Sequence, residues 1–506
     1  MRIIVLRLSL PLSLLAFFAC GQSSGPFAPD VVSTNGADTA ADIAAETIGT
    51  PPEDTAASPV LDASLATSDQ TRIPLCRPEE HGAVVDGTTP DTAAIQAAID
   101  RCHAGGGGKV LLGPGTYYSG SLILRDGITF SLMEGAVLLG STEPEHYTER
   151  SLLFAEGVQD LIIEGPGTID GNGPHWWLQE IAGRFRPARL ILIAGSSHIT
   201  VRDIRLQQSP RWTLHLLGCD HVLIERVTIR NLVADTLLSP NTDGIDLEAC
   251  RHVRVRDCDI ETGDDAIVLK NGDDRYQRHS YDIEVSDCTL SAWANAFKIG
   301  TESERDFSDI VFRDSLIRAS VESNPGTRPM GGITLVSDDG AHISNVLVQN
   351  VHMSAVRAPF FLRLQRRLRG DRVTPGTLSG ITLTNVTVDD ADLPGVIMGI
   401  QGHPVGDVTL RDVHIVSTEG GSEDERDRAV PTREDEYPDA IYFGRFPAYG
   451  LYARHVAGPL AFQGEVTLVT AVEDGRPAIV YDHVGEVEPE GLAAETTVYD
   501  RTGPER

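Results

Sequence analysis

A short phrase of alternating apolar and polar residues, usually closed by Asp or Asn, recurs along most of the chain. Alternation with a period of two is typical of β-strands that bury one face. The nine copies lie at 161–164, 199–203, 222–226, 253–257, 283–287, 310–314, 346–350, 381–385 and 408–412. Their unequal intervals favour a solenoid of stacked coils whose loops differ in length, because a propeller would need more uniform repeats.

One amphipathic helix is predicted ahead of these repeats. Asp91 can serve as its N-cap, and the glycines at 105–108 end it. Its apolar stripe consists of Ala94, Ile95, Ala98, Ile99 and Cys102. A stack of coils leaves two open ends, so we expect this helix to cover the first.

Composition narrows the classes of partner. The formal net charge of -31 excludes a nucleic-acid or anionic-membrane surface, which would need a basic face, but not an acidic polysaccharide in a locally basic groove. None of the cysteines forms a C-x-x-C motif, so a zinc or redox centre is not expected. Cys76 and Cys102 bracket the predicted helix and are candidates for a disulfide, which the sequence leaves open.

The first residues predict export. Arg2 and Arg7 precede an apolar run, residues 8–19, that is too short to span a bilayer. Cys20 after this run resembles a lipoprotein processing site, with an ordinary signal peptide as the alternative. Residues 21–72 have almost no large apolar side chains, which predicts a flexible tether. We therefore expect a catalytic domain at 73–506, on an exported protein that is lipid-anchored at the cell surface, outer membrane or periplasm, or otherwise secreted.

Carboxylates cluster in the middle of the repeat region. The strings SPNTDGIDLEAC and ETGDDAIVLK contain Asp243, Asp246, Asp264 and Asp265. About 21 residues, one coil, separate Asp243 from Asp264, and stacked strands lie about 4.8 Å apart. Crowding raises the pKa of at least one acid and leaves another as a base, which is what glycoside cleavage requires. Alternatively, these residues cap turns or bind calcium.

At these residues the sequence resembles glycoside hydrolase family 28, the polygalacturonase-like enzymes. Besides N-T-D and G-D-D, the resemblance rests on GTTPDTAAIQAAID, GPGTIDGNGPHWW and SPRW in that order. It implies an all-β, right-handed parallel β-helix with an N-terminal capping helix. It also implies inverting hydrolysis in which Asp264 is the general acid and Asp243 and Asp265 hold and deprotonate water, with no metal or organic cofactor.

Two family strings are missing, G-H-G and R-I-K. The corresponding regions read SAWANAFKIGTES and GGITLVSDD. In the family, the Arg and Lys of R-I-K resemble a clamp for a uronate carboxylate, so the sugar is left open within pectin-type and related glycans. The predicted substrate-binding residues are Asn241, Asp246, Lys298, Asn295, Trp212, which could stack on a sugar ring, and His215.

Two rival functions remain from the sequence. A polysaccharide lyase can use the same fold, although it typically needs calcium-binding acids and an arginine base. A carbohydrate-binding surface β-helix with a decayed catalytic set is the rival from another class. In each case the expected partner is a polysaccharide or oligosaccharide, and we expect a monomer. Endo or exo action and the role of the C-terminal region are left open.

Overall fold

Short parallel strands make up most of the computed structural model, which describes residues 74–231, 239–322 and 326–501. The predicted signal segment with Cys20 and the predicted tether lie outside these residues. None of the helices within the described ranges is long and apolar enough to cross a membrane.

The strands, numbered in chain order, and the two α-helices have the following bounds. They are β1 Leu75–Cys76, β2 Asp86–Pro90, α1 Thr92–Ala104, β3 Gly108–Leu112, β4 Gly115–Ser119, β5 Leu122–Ile123, β6 Ile128–Leu132, β7 Ala136–Gly140, β8 Ser151–Glu156, β9 Gln159–Glu164, β10 Thr168–Asp170, α2 Gly173–Ile181, β11 Arg189–Ala194, β12 Ser197–Arg202, β13 Arg205–Gln207, β14 Trp212–Leu217, β15 Asp220–Glu225, β16 Thr228–Arg230, β17 Ile245–Glu248, β18 Arg251–Arg256, β19 Asp259–Thr262, β20 Ile267–Asn271, β21 Ser280–Ser286, β22 Thr289–Ala292, β23 Asn295–Ser303, β24 Phe307–Ile317, β25 Gly331–Ser337, β26 His342–Met353, β27 Ala358–Leu364, β28 Thr377–Ala391, β29 Gly395–Met398, β30 Val408–Ser417, β31 Leu451–Val456, β32 Leu460–Thr470, β33 Ile479–Val484, β34 Val487–Glu488 and β35 Val498–Asp500.

Each strand pairs in parallel with a strand one coil later, which builds three ladders. Two of them, led by β1 and β2, merge at the long strand β24 into one 22-stranded sheet. The third ladder is a separate 13-stranded sheet that runs β5–β8–β11–β14–β17–β20–β23–β25–β27–β29–β31–β33–β35. We call it the site sheet. Crossovers between parallel strands are right-handed, and the predicted right-handed parallel β-helix is confirmed.

The predicted phrases stack in register inside the first ladder. Equivalent apolar residues lie directly above one another and are buried, in the order Leu161, Ile199, Val222, Val253, Ile283, Ile310, Val346, Ile381 and Val408. A single coil could not bury these side chains, so the stack itself creates the core.

The Asp or Asn that closes most of the phrases is explained by the conformation of the backbone at that position. Asp203, Asp257, Asp287 and their successors up to Asp412 adopt φ of 51–55°. Asp and Asn tolerate this left-handed conformation better than other non-glycine residues. Their side chains also pair between coils, as where the Asn350 amide donates to Asp314 at 2.7 Å and that of Asn385 donates to Asn350 at 2.8 Å.

Helix α1 covers the first coils as predicted, and its stripe of Ala94, Ile95, Ala98, Ile99 and Cys102 is buried. Asp91 occupies the N-cap position, but its side chain does not cap the helix. Its carboxylate instead accepts hydrogen bonds from the backbone of Val84 at 2.6 Å and Val85 at 3.1 Å, which fastens the preceding loop.

The cysteines divide into two groups. Cys76 and Cys102 form a disulfide that ties β1 to α1. Cys219, Cys250, Cys258 and Cys288 are free and buried, in keeping with their prediction as small apolar residues.

A second, smaller core lies on the outer face of the site sheet near its C-terminal end. There the segment between β30 and β31, residues 418–450, folds back over the sheet. Its buried side chains Val430, Ala440, Phe443, Phe446 and Ala448 pack on outward-facing residues of β25, β27, β29, β31 and β33. This segment therefore covers the outer face of the site sheet near its C-terminal end.

Candidate active site

The site lies on the outer face of the site sheet, at strands β17, β20, β23 and β25. Parallel register places Asp246, Val268, Lys298 and Thr334 side by side on these strands. Asp243 lies in the turn before β17, and Asp264 and Asp265 lie in the turn before β20. Stacking of the two turns brings the acids of N-T-D and G-D-D together.

The three predicted catalytic aspartates form one tight cluster. Carboxylate oxygens of Asp243, Asp264 and Asp265 all lie within 4.8 Å of one another. Asp243 and Asp265 are buried, at 3% and 2% exposure, whereas Asp264 is partly exposed. Of the three, Asp264 is therefore the one most open to a ligand from solvent.

Two buried lysines neutralise the flanks of this cluster. The Lys270 ammonium lies 3.0 Å from Asp243 Oδ2 and 2.7 Å from Asp246 Oδ1. Lys298 donates to Asp265 Oδ2 at 2.9 Å. Although burial disfavours their charged forms, the adjacent acids raise the pKa of both lysines well above its usual value, so both remain cations.

The surroundings give the aspartates different proton affinities. Burial, reinforced by the charges of Asp243 and Asp265, raises the pKa of Asp264 well above its usual value. Burial also raises the pKa of Asp243, but Lys270 opposes that rise. For Asp246, burial and Asp243 raise the pKa well above its usual value despite Lys270. Asp264 is partly exposed and has a raised pKa, so it is suited to hold a proton and pass it to a ligand.

Asp265 is fixed by hydrogen bonds from the next coil. The backbone N–H and side-chain amide of Asn295 donate to its Oδ1 at 3.0 and 2.7 Å. Thr334 Oγ1 in turn donates to Asn295 Oδ1 at 2.7 Å. This chain fixes the orientation of the Asn295 amide, so Asn295 holds the carboxylate of Asp265 in place.

Trp212 lies beside the cluster, with cations against its ring. The Lys270 ammonium is 3.5 Å and the Arg189 guanidinium carbon 4.3 Å from the ring centroid. His215 packs edge-on against the same ring at 5.0 Å. These contacts favour a role for Trp212 in supporting Lys270, alongside its predicted role of sugar stacking.

The remaining predicted residues take different positions. His215 is 1% exposed and bonds to Glu248 at 3.0 Å and Arg189 at 3.1 Å, and burial lowers its pKa to about 4. This placement favours an indirect role behind the site. Asn241 is partly exposed at φ 53°, two residues before Asp243.

The acidic trio is also the group within the described ranges whose geometry could hold a metal ion. Three carboxylates suit a hard cation such as calcium. Lys270 and Lys298, however, already supply positive charge at two of the three acids.

Sequence reasoning missed Lys270, Tyr437 and Asp439. The Tyr437 hydroxyl lies 3.1 Å from the Lys298 ammonium, and burial raises the pKa of nearby Asp439 to about 6. The signal for Lys270 was its rarity: the sequence contains three lysines, Lys109, Lys270 and Lys298, and two of them lie in this cluster. Tyr437 had no comparable signal, because it directly follows the charged run at residues 419–436, far along the chain from the aspartates.

Known proteins match this fold and these motifs. The family model described as "Glycosyl hydrolases family 28" matches residues 106–431. A probable polygalacturonase from Vitis vinifera is 26% identical over 420 residues, which is 74% of this chain and 83% of that protein. An α-L-rhamnosidase from Aspergillus niger is 25% identical over 248 residues, 45% of this chain and 55% of that protein.

Among solved structures, a family 28 exopolygalacturonase from Yersinia enterocolitica superposes with a TM-score of 0.63 at 18% identity, covering 84% of this chain and 79% of that one. That level of identity supports the fold alone, while the family model spans more than half of the present sequence. The chain therefore belongs to glycosyl hydrolases family 28 and is an O-glycosyl hydrolase rather than a lyase.

Proposed function

We propose that the protein hydrolyses an O-glycosidic bond in a pectin-type polysaccharide or oligosaccharide, with Asp264 as general acid. The proposal rests on one observation: the three crowded carboxylates differ in their ion pairing. Asp243 and Asp265 each form an ion pair with a buried lysine, whereas Asp264 forms none with a lysine within the described residues and its pKa is raised. A carboxylic acid that stays protonated can protonate the leaving oxygen.

Asp243 and Asp265 then form the base side of the site. Each carboxylate is paired with a lysine, so the two can bind an attacking water and remove its proton as it adds to the anomeric carbon. The proton that Asp264 gives to the leaving oxygen is restored from solvent after the product departs. Lys270 and Lys298 keep the charges of the two bases compensated while the reaction proceeds.

Inversion is the part of this mechanism that the distances do not favour. Inverting glycosidases usually separate their carboxyl groups by roughly 6.5–9.5 Å, and retaining ones by roughly 5–5.5 Å. In this protein one oxygen of each of the three carboxylates lies within 4.8 Å of the other two, while the carboxyl groups as wholes are further apart. Our proposal of inversion rests on the family resemblance and on the pairing of Asp243 and Asp265 with lysines, which orients both carboxylates towards a shared water.

We infer the substrate class from similar proteins, which include a probable polygalacturonase and an α-L-rhamnosidase. In place of the R-I-K clamp this chain has Thr334, a neutral side chain, beside Lys298. We therefore propose that binding of the pectic glycan does not require a uronate at this position.

A panel assay tests the function. Reducing sugar released from polygalacturonate, xylogalacturonan, rhamnogalacturonan and a neutral glucan is compared for wild type and Asp264→Asn. Loss of the general acid should lower the rate by about 10²–10⁴. Asp257→Asn makes the same chemical change at an exposed turn with φ 55°, and its rate should equal that of wild type. Equal rates for Asp264→Asn and wild type would contradict the assignment.

We further propose that the protein is an exported, monomeric enzyme anchored through a lipid on Cys20, with residues 21–72 as the tether and 73–506 as the catalytic domain. Residues 1–20 carry the pattern of a lipoprotein signal, and a Cys76–Cys102 disulfide suits an oxidising compartment. Cys20→Ala should move the protein from the membrane fraction to the soluble fraction. Unchanged membrane fractionation would contradict the anchor.

A further inference from the structure

The outer face of the site sheet changes character along the stack. Residues that occupy equivalent outward positions on successive strands are, in order, His215, Asp246, Val268, Lys298, Thr334, Phe361, Val396, Tyr452 and Val480. Polar groups dominate up to Thr334, and large apolar or aromatic groups follow. The outer face of the site sheet therefore changes from polar to apolar between Thr334 on β25 and Phe361 on β27.

The apolar part of this face is covered by the 418–450 segment. Phe443 packs on Phe361 with ring centroids 5.9 Å apart, and Phe446 packs on Tyr452 at 5.5 Å. Phe361, Phe446 and Tyr452 are at most 1% exposed. Burying aromatic side chains of this size removes a large apolar area from water, so the segment is a fixed part of the fold.

Hydrogen bonds fix the same segment at the edge nearest the aspartates. Arg363 donates to the carbonyl of Thr432, and the Gln365 amide donates to the carbonyls of Arg433 at 3.0 Å and Glu436 at 2.6 Å. Because Arg363 and Gln365 are both buried, these bonds are shielded from water and hold the backbone just before Tyr437.

Tyr437 joins the segment to the catalytic cluster. Its hydroxyl lies 3.1 Å from the Lys298 ammonium, which in turn donates to Asp265 at 2.9 Å. Asp439, two residues later, is 4% exposed and accepts a hydrogen bond from the backbone of Ile441 at 3.1 Å. The family model matches residues 106–431, so Tyr437 and Asp439 lie outside the matched range.

We infer that the 418–450 segment is a wall that closes one end of the substrate groove, so that the enzyme takes a glycan by its chain end and Tyr437 contacts the terminal sugar. This inference rests on the proposed function. The polar part of this face extends from β14 to β25, four strand spacings of about 4.8 Å or roughly 19 Å. A chain lying along the stack beyond β25 would have to replace the aromatic core formed by Phe361 and Phe443.

Product analysis tests the wall. Digests of polygalacturonate, xylogalacturonan and rhamnogalacturonan are resolved by size from the earliest time points. A blind groove gives one small product from the start while the remaining polymer stays long. A ladder of intermediate fragments at early times would overturn the inference and leave the proposed function intact. Absence of hydrolysis in all three would overturn the proposed function and this inference with it.

The role of Tyr437 is tested by Tyr437→Phe, which keeps the ring and removes the hydroxyl. Loss of one hydrogen bond to the terminal sugar should raise KM about three- to tenfold. Tyr499→Phe is the matched control, because the Tyr499 hydroxyl donates at 2.9 Å to Asp427 of the same segment, away from the aspartates. An unchanged KM for Tyr437→Phe, or an equal rise in the control, would overturn the assignment.

Discussion

Replacing Lys270 by methionine is the perturbation whose consequences follow most directly from the site. Methionine keeps a flexible chain beside Trp212 but removes the charge that lies 3.0 Å from Asp243 and 2.7 Å from Asp246. All three side chains are at most 6% exposed, so water cannot replace the ammonium. Two neighbouring buried carboxylates would lose the cation with which both are paired.

The magnitude can be worked out from this geometry. Removing one partner of a buried ion pair costs about 3–5 kcal/mol, which corresponds to two or more pKa units at about 1.4 kcal/mol each. Burial already raises the pKa of Asp243 and Asp246, and Lys270 opposes that rise. Without Lys270 these pKa values rise further above their unfolded values. Stability from the protonated acids is then present at low pH and lost as the pH increases through the raised values.

We therefore expect Lys270→Met to lower the free energy of unfolding by about 3–5 kcal/mol at pH 8 and by less at pH 4.5. Because Asp243 must be ionised to act as a base, the acidic limb of kcat against pH should move up by about two units, which lowers activity at pH 5 by about 10²-fold. Urea unfolding and initial rates across pH measure the two effects.

A matched control is available at the surface. Lys109 lies 2.9 Å from Glu164, but its side chain is 38% exposed, and exposed pairs of this kind contribute about 0–1 kcal/mol. Lys109→Met should leave the acidic limb in place. An unshifted acidic limb in Lys270→Met, or equal stability losses in the two variants, would refute the reasoning.

Three further predictions concern single interactions. Burial raises the pKa of Asp439 from 3.8 to about 6, so the stability it contributes is present below about pH 4 and is lost as the pH rises through 6. Relative to Asp439→Asn, the free energy of unfolding of the wild type should fall by about 3 kcal/mol as the pH rises through this region. Urea unfolding that shows the same pH dependence for both proteins would contradict this prediction. Thr334→Val leaves the buried Asn295 oxygen without its 2.7 Å donor and should cost about 1–3 kcal/mol of unfolding free energy; a cost near zero in urea unfolding would show that the amide finds another partner. Removing the Cys76–Cys102 disulfide, which closes 26 residues, should cost about 3–4 kcal/mol, and identical thermal midpoints with and without reductant would contradict it.

The coil architecture could be predicted from sequence because its determinants are local and repeated. Each phrase encodes a strand by alternation and a left-handed turn by its Asp or Asn, as at Asp257 and Asp287 with φ 55°. Stacking then follows because no coil can bury its apolar face alone. The same regularity placed Asp243 and Asp264 one coil apart, and hence side by side.

The contacts that complete the site were harder to predict. Lys270 reads as the polar end of the apolar strand AIVLK, and only the register with Glu248 shows that it lies on the outer face. Tyr437 meets Lys298 across 139 residues, through a segment whose fold depends on packing against β27. Asp91 was expected to cap α1 with its side chain, but its carboxylate accepts hydrogen bonds from the backbone N–H groups of Val84 and Val85 instead. Long-range packing and competition among donors decide such positions.

The stereochemistry of the first product tests the central claim most directly. Proton NMR of the anomeric signals, recorded within the first minutes of hydrolysis of the polysaccharide identified by the panel, shows the configuration before mutarotation. The proposed roles, with Asp264 as acid and water held by Asp243 and Asp265, predict the anomer opposite to that of the cleaved bond. A product that keeps the configuration of the substrate would contradict them and indicate that one of the aspartates bonds to the sugar, as the separation within 4.8 Å would allow.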